Sequence, residues 1–337
     1  MNQKDVLDQK LDQKLDKKVF KVFPIGIIVK EENSTWIHIM PKFVKALKHL
    51  GLFSHAIIFS GEDDKKNNKI KVETVKILVI DENSGIIKVD SISDRLGKIL
   101  WDIKPYFPCE DRIESPGIPK EIEGSMWREE NDMVKALEGK VPHGDRIQHG
   151  EKIPCEDKTL NEDKMQYQVP DYLKEERLKE NNGVCIRPIG QVKTAGQETI
   201  LKLSKEHGDI IRKLEGFSHI KILWWFDKFD RAIYRKVTQA DPPYENAPKT
   251  GIFASRSPVR PNPIAMTTAR IFKQDETKNE LCVSELDAFE NSFIIDIIPY
   301  IPAYDRVEFP VKANINNVDS VLAGVATMLL YGFNINT

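Results

Sequence analysis

The stretch DIIPYIPAYDR at residues 296–306 repeats, with few changes, the stretch DIKPYFPCEDR at residues 102–112. The two stretches share the first aspartate, two prolines, the tyrosine and the closing Asp-Arg pair at the same spacing. Internal repeats are the first feature to seek in a sequence, because they decide the architecture of the whole chain. The stretch therefore indicates two related halves.

Two shorter repeats support this duplication. Pro-Ile-Gly at 24–26 recurs at 188–190, and Phe-Ser-His at 53–55 recurs at 217–219, both displaced by 164 residues. The long stretch is displaced by 194 residues, so the second copy carries 30 extra residues between its Phe-Ser-His and its long stretch. Three collinear matches with one change in length indicate a tandem duplication.

Each copy is predicted to be mostly β. Runs rich in β-branched residues, separated by polar turns, lie at 20–29, 70–80, 85–89, 264–272, 281–286 and 293–297. One helix is predicted near 38–50, matched by 201–214. The G-x-G-x-x-G turn of a dinucleotide-binding sheet is absent. The predicted fold class is mainly β with helices, as two tandem small β-barrels joined by a polar linker.

The domain boundaries follow from the repeats and from composition. We predict a polar tail at 1–18, a degenerate first domain at 19–114, a linker at 115–183, a catalytic domain at 184–312 and a C-terminal tail at 313–337. The linker is rich in Glu, Lys, Asp, Gly and Pro, a composition that buries too little apolar surface to offset its ordering entropy.

The charge and composition of the chain exclude few classes of protein. The net charge is −2, from 50 basic and 52 acidic side chains, which neither supplies nor forbids a nucleic-acid-binding face. The four cysteines form no C-x-x-C pair, which argues against a zinc knuckle or a disulfide framework, and no metal site is predicted. The N-terminus lacks a secretory signal, and the apolar run at 321–333 is too short to span a bilayer. A soluble cytoplasmic protein, without membrane contact, is expected.

The extra residues fall within 230–263, which includes GIFASRSPVRPNP at 251–263. Proline fixes φ and restricts the residue before it, so the segment is predicted to be a stiff, non-helical loop. Such a loop holds Arg256 and Arg260 at a fixed separation, which suits recognition of a carboxylate or another anion. A plain proline-rich surface loop between two strands is an equally good interpretation of the composition alone.

Residues 251–266, GIFASRSPVRPNPIAM, resemble the signature G-x-F-A-[ST]-R-S-P-x-R-P-N-P-I-G-L of the TsaA-like (TrmO-type) family. The family's G-F-S-H and D-x-x-P-Y-x-P segments are matched by 216–219 and 296–302, in family order. The resemblance covers about 186–307. The first copy keeps the framing segments and lacks the arginine–proline loop, so it resembles a degenerate member of the family.

The resemblance implies a methyltransferase that uses S-adenosylmethionine and methylates the exocyclic amine of threonylcarbamoyl-adenosine beside the tRNA anticodon. It implies tRNA as a partner and a dimer with the cofactor near the subunit interface. We expect the first copy to replace the second subunit in an intrachain pseudo-dimer, with a homodimer as the alternative. A methyltransferase for another substrate, or a non-catalytic module that binds S-adenosylmethionine or RNA, also remains open.

Eight residues are the candidate site. The predicted cofactor-binding residues are Arg256, Ser257, Arg260, Asn262 and Asp305. Alternatively, one arginine pairs structurally with Asp296 or Asp305, while the serine and asparagine order the loop. The predicted catalytic residues are Asp241, Tyr244 and Asp296. The first two lie in the extra segment and have no counterpart in the first copy.

Asp296 is the candidate base for the proton of the amine, since a base near the acceptor nitrogen would help the transfer. Its counterpart Asp102 in the degenerate copy favours a structural role instead. Tyr300 likewise has a counterpart, Tyr106, and is interpreted as framework. The chain departs from the family at Ile298, where the family has lysine. Lys104 of the first copy keeps that lysine and could supply it across a pseudo-interface.

Overall fold

The computed structural model describes residues 3–31, 34–61, 69–90, 98–119, 183–241 and 248–307. Most of the predicted linker at 115–183 and the whole predicted C-terminal tail at 313–337 lie outside these residues, as does Tyr244. No helix within the described ranges is both long and apolar enough to cross a membrane.

The first half begins with helix α1 and a short strand and then closes into a six-stranded barrel. Helix α1 spans Gln3–Asp16 and strand β1 spans Phe20–Val22. The barrel strands, in chain order, are β2 (Gly26–Glu31), β3 (Ser34–Ile39), β4 (His55–Gly61), β5 (Lys71–Asp81), β6 (Ile86–Val89) and β7 (Ile99–Pro105). Their order around the barrel is β2-β3-β6-β5-β4-β7. Helix α2 (Pro108–Asp111) follows the last strand.

The second half repeats this plan. After β8 (Val184–Ile186), the chain forms β9 (Gly190–Thr194), β10 (Glu198–Leu203), β11 (His219–Trp225), β12 (Gln239–Ala240), β13 (Thr250–Gly251), β14 (Ile264–Asp275), β15 (Glu280–Ser284) and β16 (Phe293–Pro299). Strands β12 and β13 pair with each other, and the other six close a barrel in the order β9-β10-β15-β14-β11-β16. Helices α3 (Asp209–Lys213) and α4 (Pro302–Asp305) complete the half.

The two barrels have the same strand order when equivalent strands are compared. Both also carry β-bulges at equivalent places, after Phe59 and Leu223 and again after Ile77 and Ile271. A bulge bends a strand and increases its twist, which helps a short sheet to close. The predicted fold class, mainly β with two tandem barrels, is therefore confirmed.

The glycines of the repeated Pro-Ile-Gly segment explain why that segment is kept. A Cβ atom on Gly26 would collide with the carbonyl oxygen of His38 on the neighbouring strand. A Cβ atom on Gly190 would collide in the same way with the carbonyl oxygen of Lys202. Each barrel therefore needs a glycine at this point, where the neighbouring strand leaves no room for a Cβ atom.

The helix predictions at 38–50 and 201–214 were wrong over much of their length. Residues 38–39 end strand β3, and Pro41–Leu47 form a 3₁₀ helix. Residues 201–203 end strand β10, before the 3₁₀ helix Lys205–His207 and helix α3. Strand pairing across each barrel overrides the local helical pattern, as is common for short segments.

The barrels pack against each other around an approximate two-fold axis. Strands β1 and β8 pair antiparallel, with Lys21 opposite its own equivalent, Cys185. The hydroxyl of Tyr106 accepts a hydrogen bond from Val307 N at 3.2 Å, and the hydroxyl of Tyr300 accepts one from Ile113 N at 3.1 Å. Helix α2 contacts β14, while α4 contacts β5. Each half thus contacts the other in the same way.

An apolar layer fills the space between the barrels. Phe20 stacks on Trp225 with ring centroids 4.5 Å apart, and Trp101 is fully buried in the same layer. Helix α1 also reaches this region, because Leu15 is 3% exposed and Lys14 donates to Gln191 at 3.2 Å. The N-terminal helix therefore packs onto the second barrel at its C-terminal end.

Candidate functional site

The arginine–proline loop leaves the second barrel and enters the first. The 3₁₀ helix Ile252–Ala254 is buried in the core of the first barrel, and Phe253 is 0% exposed. Gly251 N donates to Lys48 O at 3.0 Å, and a Cβ atom on Gly251 would collide with Ala46 O. The segment that sequence alone could not distinguish from a surface loop is therefore an interior element of the other half.

Arg260 lies wholly between the barrels, at 0% exposure. Its Nη2 donates to Asp102 Oδ1 at 2.7 Å and to Ile103 O at 2.8 Å, and its Nη1 donates to the carbonyls of Ser255 and Ser257. The second carboxylate oxygen of Asp102 accepts from Lys104 Nζ at 2.8 Å. The guanidinium is thus fully engaged by protein groups.

Burial of Lys104 is so complete that its pKa is lowered to about 7, with the positive charge of Arg260 acting in the same direction and Asp102 opposing it. Desolvation disfavours the charged ammonium, and only the shared carboxylate offsets this. Lys104 contacts Asp102 within its own barrel, and its ring contact is with Phe59 at 5.2 Å. The lysine expected to act across the interface is therefore held by the first barrel.

Arg256 and Asn262 also bind the first barrel. Arg256 forms an ion pair with Asp111, donates to Pro105 O at 2.9 Å and lies over the ring of Phe107. Asn262 Nδ2 donates to Phe23 O and to Trp101 O, each at 2.7 Å, and its Oδ1 accepts from Phe23 N at 2.9 Å. The structural partners of the two arginines are Asp102 and Asp111, the first-copy counterparts of the expected Asp296 and Asp305.

Ser257 is buried and braces the loop from within, since its Oγ accepts from Val259 N at 3.3 Å. Asp305 is also buried, where it pairs with Lys221 and accepts from Ile301 N at 2.8 Å. Lys221 occupies the position of Ile57 in the first barrel. A lysine of the second barrel therefore neutralises Asp305, as Arg256 neutralises its counterpart.

Asp296 differs most from its counterpart. It accepts a hydrogen bond from Ile297 N at 2.9 Å, and Lys69 provides the nearest compensating charge. Burial raises the pKa of Asp296 to about 6, against the opposing effect of these two groups. The missing loop of the first copy explains the difference, because an equivalent of Arg260 would have to come from that loop.

Asp241 lies at the surface. Its side chain is 80% exposed, and Lys249 Nζ is 3.9 Å from its carboxylate. The structure therefore groups Arg256, Ser257, Arg260 and Asn262 at the barrel interface and leaves Asp241 in solvent. The assignments of all eight residues to cofactor binding or catalysis stay predictions.

A pocket of about 200 Å³ opens in the second barrel beside the end of β11. One wall is formed by Trp224 and by the segment that follows β11, and the other by the turn between β15 and β16; the lining residues are Trp224, Phe226, Asp227, Lys228, Phe229, Glu285, Leu286, Asp287, Ala288, Phe289 and Ser292. Aromatic rings and carboxylates thus face one cavity.

Three carboxylates and one lysine line the pocket. Burial raises the pKa of Asp287, and the neighbouring Glu285 raises it further. Lys228 Nζ lies 3.3 Å from the centre of the Phe289 ring. The carboxylate of Asp287 is also close enough to help raise the pKa of Glu110, after the larger effect of burial.

The pocket is tied to the arginine–proline loop through hydrogen bonds. Phe226 N donates to Pro263 O at 2.9 Å. Asp230 accepts from Trp225 Nε1 at 3.1 Å and from Arg235 Nε at 2.8 Å, and Arg235 Nη1 donates to Pro261 O at 3.1 Å. The arginine–proline loop, which binds the first barrel, therefore also supports one wall of the pocket.

Sequence reasoning missed the pocket residues. The available signal was a pair of short aromatic–acidic segments at strand ends, FDKF at 226–229 and LDAF at 286–289. Neither segment is repeated in the first copy or contains a proline-braced arginine. Only the closure of the barrel brings the two segments together.

Comparison with known proteins identifies the family. A family model described as the tRNA-methyltransferase O N-terminal domain matches residues 176–306. An S-adenosyl-L-methionine-binding protein of Archaeoglobus fulgidus is 40% identical over 102 residues, which cover 30% of this chain and 68% of that protein. A probable S-adenosyl-L-methionine-binding protein of Methanothermobacter thermautotrophicus is 31% identical over 140 residues, covering 37% and 96%. The chain belongs to the TrmO family.

Two further matches cover smaller shares of the other protein. A mouse tRNA (adenine(37)-N6)-methyltransferase is 35% identical over 123 residues, covering 32% of this chain and 28% of that protein. A crystal structure of TrmO from Pseudomonas aeruginosa matches at 20% identity with a TM-score of 0.30, covering 40% of this chain and 62% of that chain. TrmO-family membership confirms the expected TsaA-like assignment. At the level of the family it also confirms the methyltransferase class and the S-adenosylmethionine cofactor.

Proposed function

We propose that the chain transfers the methyl group of S-adenosylmethionine to the exocyclic amine of threonylcarbamoyl-adenosine in tRNA. The observation that carries this proposal is the aromatic and acidic pocket beside β11, in a TrmO-family chain whose arginine–proline loop supports the pocket wall. The adenine-37 methyltransferases among the relatives support tRNA as the methyl acceptor.

The residues of the pocket fit S-adenosylmethionine. Phe226 and Phe289 offer ring faces for the adenine, and the electron-rich face of a ring attracts a sulfonium cation. Carboxylates such as Asp227 and Glu285 accept hydrogen bonds from ribose hydroxyls and from the ammonium group. Lys228 can pair with the methionine carboxylate. Once bound, the cofactor supplies an electrophilic methyl group.

The pocket residues orient the reacting groups and exclude water, which is most of what methyl transfer requires of a protein. Asp287 is our proposed acceptor for the proton of the amine, because it lines the pocket and its pKa is raised towards neutral pH. Asp296, with a pKa of about 6, is the second candidate. The pH–rate profiles of Asp287→Asn and Asp296→Asn distinguish them, since loss of the base removes the acidic limb.

We infer that the first barrel takes the place of a second subunit. The reciprocal tyrosine contacts and the pairing of β1 with β8 support this, because a two-fold interface uses the same surface on both partners. Sedimentation equilibrium should give a monomer of 38.7 kDa at micromolar concentration. A stable dimer in which two chains complete one pocket would contradict the inference.

The central experiment is incubation of the full chain with labelled S-adenosylmethionine and total tRNA, followed by nucleoside analysis. We expect label in N6-methylated threonylcarbamoyl-adenosine, and little label with Asp287→Asn. Label in another nucleoside would show a different acceptor. Donor binding without any transfer to RNA would rule out the proposed activity and leave a binding module.

A further inference from the structure

A line of aromatic rings runs from the pocket to the protein surface. The ring centroids of Trp224 and Phe226 are 4.6 Å apart, those of Phe226 and Phe229 are 6.3 Å apart, and those of Phe229 and Tyr234 are 6.2 Å apart. Trp224 is buried in the barrel wall, whereas Tyr234 begins the 3₁₀ helix Tyr234–Lys236. We call these four rings the aromatic track.

Cations flank the outer end of the aromatic track. The guanidinium of Arg231 lies 5.9 Å from the centre of the Tyr234 ring, and both Arg231 and Lys236 are exposed. Among the described residues, no carboxylate lies within ion-pair distance of either cation; the nearby Asp230 is engaged by Arg235 and Trp225. Ile233, between them in sequence, is 70% exposed. The surface beside Tyr234 thus carries an exposed apolar side chain and two cations.

The aromatic track belongs to the second half alone. The first-copy equivalents of Trp224 and Trp225 are Ser60 and Gly61, and Gly61 has no room for a side chain beside Trp101. The other rings and the two cations lie within or next to the 30 extra residues. The track therefore accompanies the pocket and is not part of the shared barrel framework.

We propose that the aromatic track is the surface that receives single-stranded RNA. Unstacked bases would lie on Tyr234 and Phe229, and Arg231 and Lys236 would contact phosphates. Bases stack on aromatic side chains irrespective of sequence, and cations beside such rings bind the backbone. The track then leads an unpaired base into the pocket, where the reactive methyl group is held. The choice of RNA as the ligand rests on the proposed function.

The test measures fluorescence anisotropy of a labelled synthetic RNA stem-loop with an adenosine in its single-stranded loop, added to the full chain. Tyr234→Ala should weaken binding by about 5- to 100-fold, as expected for loss of one stacking ring, while Tyr234→Phe keeps the affinity. Arg231→Ala and Lys236→Ala should each lower the slope of log affinity against log salt by about 0.7.

The matched control is Phe272→Ala with Lys273→Ala. Phe272 is an exposed aromatic residue beside a lysine on β14, 49% exposed, but it lies about 26 Å along the strand from Ile264 at the pocket end. The control should bind RNA as the wild type does. Calorimetric binding of S-adenosylmethionine, unchanged in each variant, establishes that the pocket remains folded.

Two outcomes would overturn the proposal: RNA affinity of Tyr234→Ala within twofold of wild type, or an equal loss in the Phe272→Ala control. These outcomes are separable from the proposed function. If methyl transfer to tRNA occurs and Tyr234→Ala binds RNA normally, RNA binding by the aromatic track is contradicted and the proposed function is supported. If Tyr234→Ala loses RNA affinity and the wild type transfers no methyl group, RNA binding by the aromatic track is supported and the proposed function is contradicted.

Discussion

At the scale of the residue, the duplication provides an internal comparison of equivalent carboxylates. Asp102 is buried with Arg260 and Lys104, whereas its counterpart Asp296 accepts a backbone hydrogen bond and lies near Lys69. The same residue in the same strand position therefore has a different electrostatic environment. The cause is the loop that only one copy carries.

Asp102→Asn should reduce the free energy of unfolding by about 3–5 kcal/mol, because it leaves Arg260 and Lys104 buried without a compensating charge. The matched variant Asp296→Asn should be near neutral at pH 7, since it removes a charge that burial disfavours. Urea unfolding of both variants is the measurement. Equal destabilisation by the two substitutions would show that the interface pair has no special role.

The raised pKa of Asp296 predicts a pH dependence of stability. The folded protein keeps this proton up to about pH 6, whereas the unfolded chain releases it near the ordinary carboxyl pKa of 3.8. Between these values the folded state binds more protons, so this group makes the protein less stable as pH rises from about 4 to 6. Asp296→Asn should remove that component from a series of urea midpoints. An unchanged pH profile in the variant would contradict the assignment.

At the scale of the element, the 3₁₀ helix Ile252–Ala254 acts as part of a barrel to which it does not belong in sequence. It fills part of the core of the first barrel, and the arginines that follow it, Arg260 and Arg256, form ion pairs with Asp102 and Asp111. The extra segment of the second copy therefore stabilises the first copy. The second half thus completes the core of the first barrel.

Phe253→Ala should cost about 3–5 kcal/mol, the usual range for truncating a fully buried phenylalanine, and should destabilise the first barrel. Hydrogen exchange is the measurement, and faster exchange in β3 to β6 is the expected result. The exposed Phe272→Ala should change stability by less than about 0.5 kcal/mol. Faster exchange confined to the second barrel would argue against the inserted helix as a core element of the first.

At the scale of the whole molecule, the two barrels have the same topology and make reciprocal contacts, but they differ in their surfaces. Their contacts are reciprocal, through β1 with β8 and through Tyr106 and Tyr300, but within the described ranges the pocket beside β11 and the aromatic track lie in the second half. The two halves therefore share the interface contacts and differ in the pocket beside β11.

Calorimetry should therefore give one molecule of S-adenosylmethionine per chain, because the pocket lined by Trp224 and Phe289 lies in the second barrel, and Ser60 stands in place of Trp224 in the first. Phe289→Ala should abolish most of the heat without changing the monomeric mass. A stoichiometry of two would show that the first barrel also binds the cofactor.

The sequence by itself determined the duplication, the strands and the family. These follow from local patterns: alternating and β-branched runs form strands wherever they pair, and the motif at 251–263 is contiguous. It did not determine the helices near 38–50, where strand pairing prevailed. Only the tertiary structure shows which aspartate pairs with Arg260. Asp102 and Asp296 are equivalent in sequence, and the one that binds Arg260, Asp102, is 158 residues away from it.

The pocket was likewise decided only in three dimensions. Phe226 and Phe289 are far apart in sequence and meet because β16 pairs with β11, which brings the turn between β15 and β16 beside the end of β11. Short-range patterns encode which residues pair into strands, but the partner of a buried charge or the lining of a cavity depends on packing between distant segments. That packing places the loop's arginines in the first barrel and the pocket in the second.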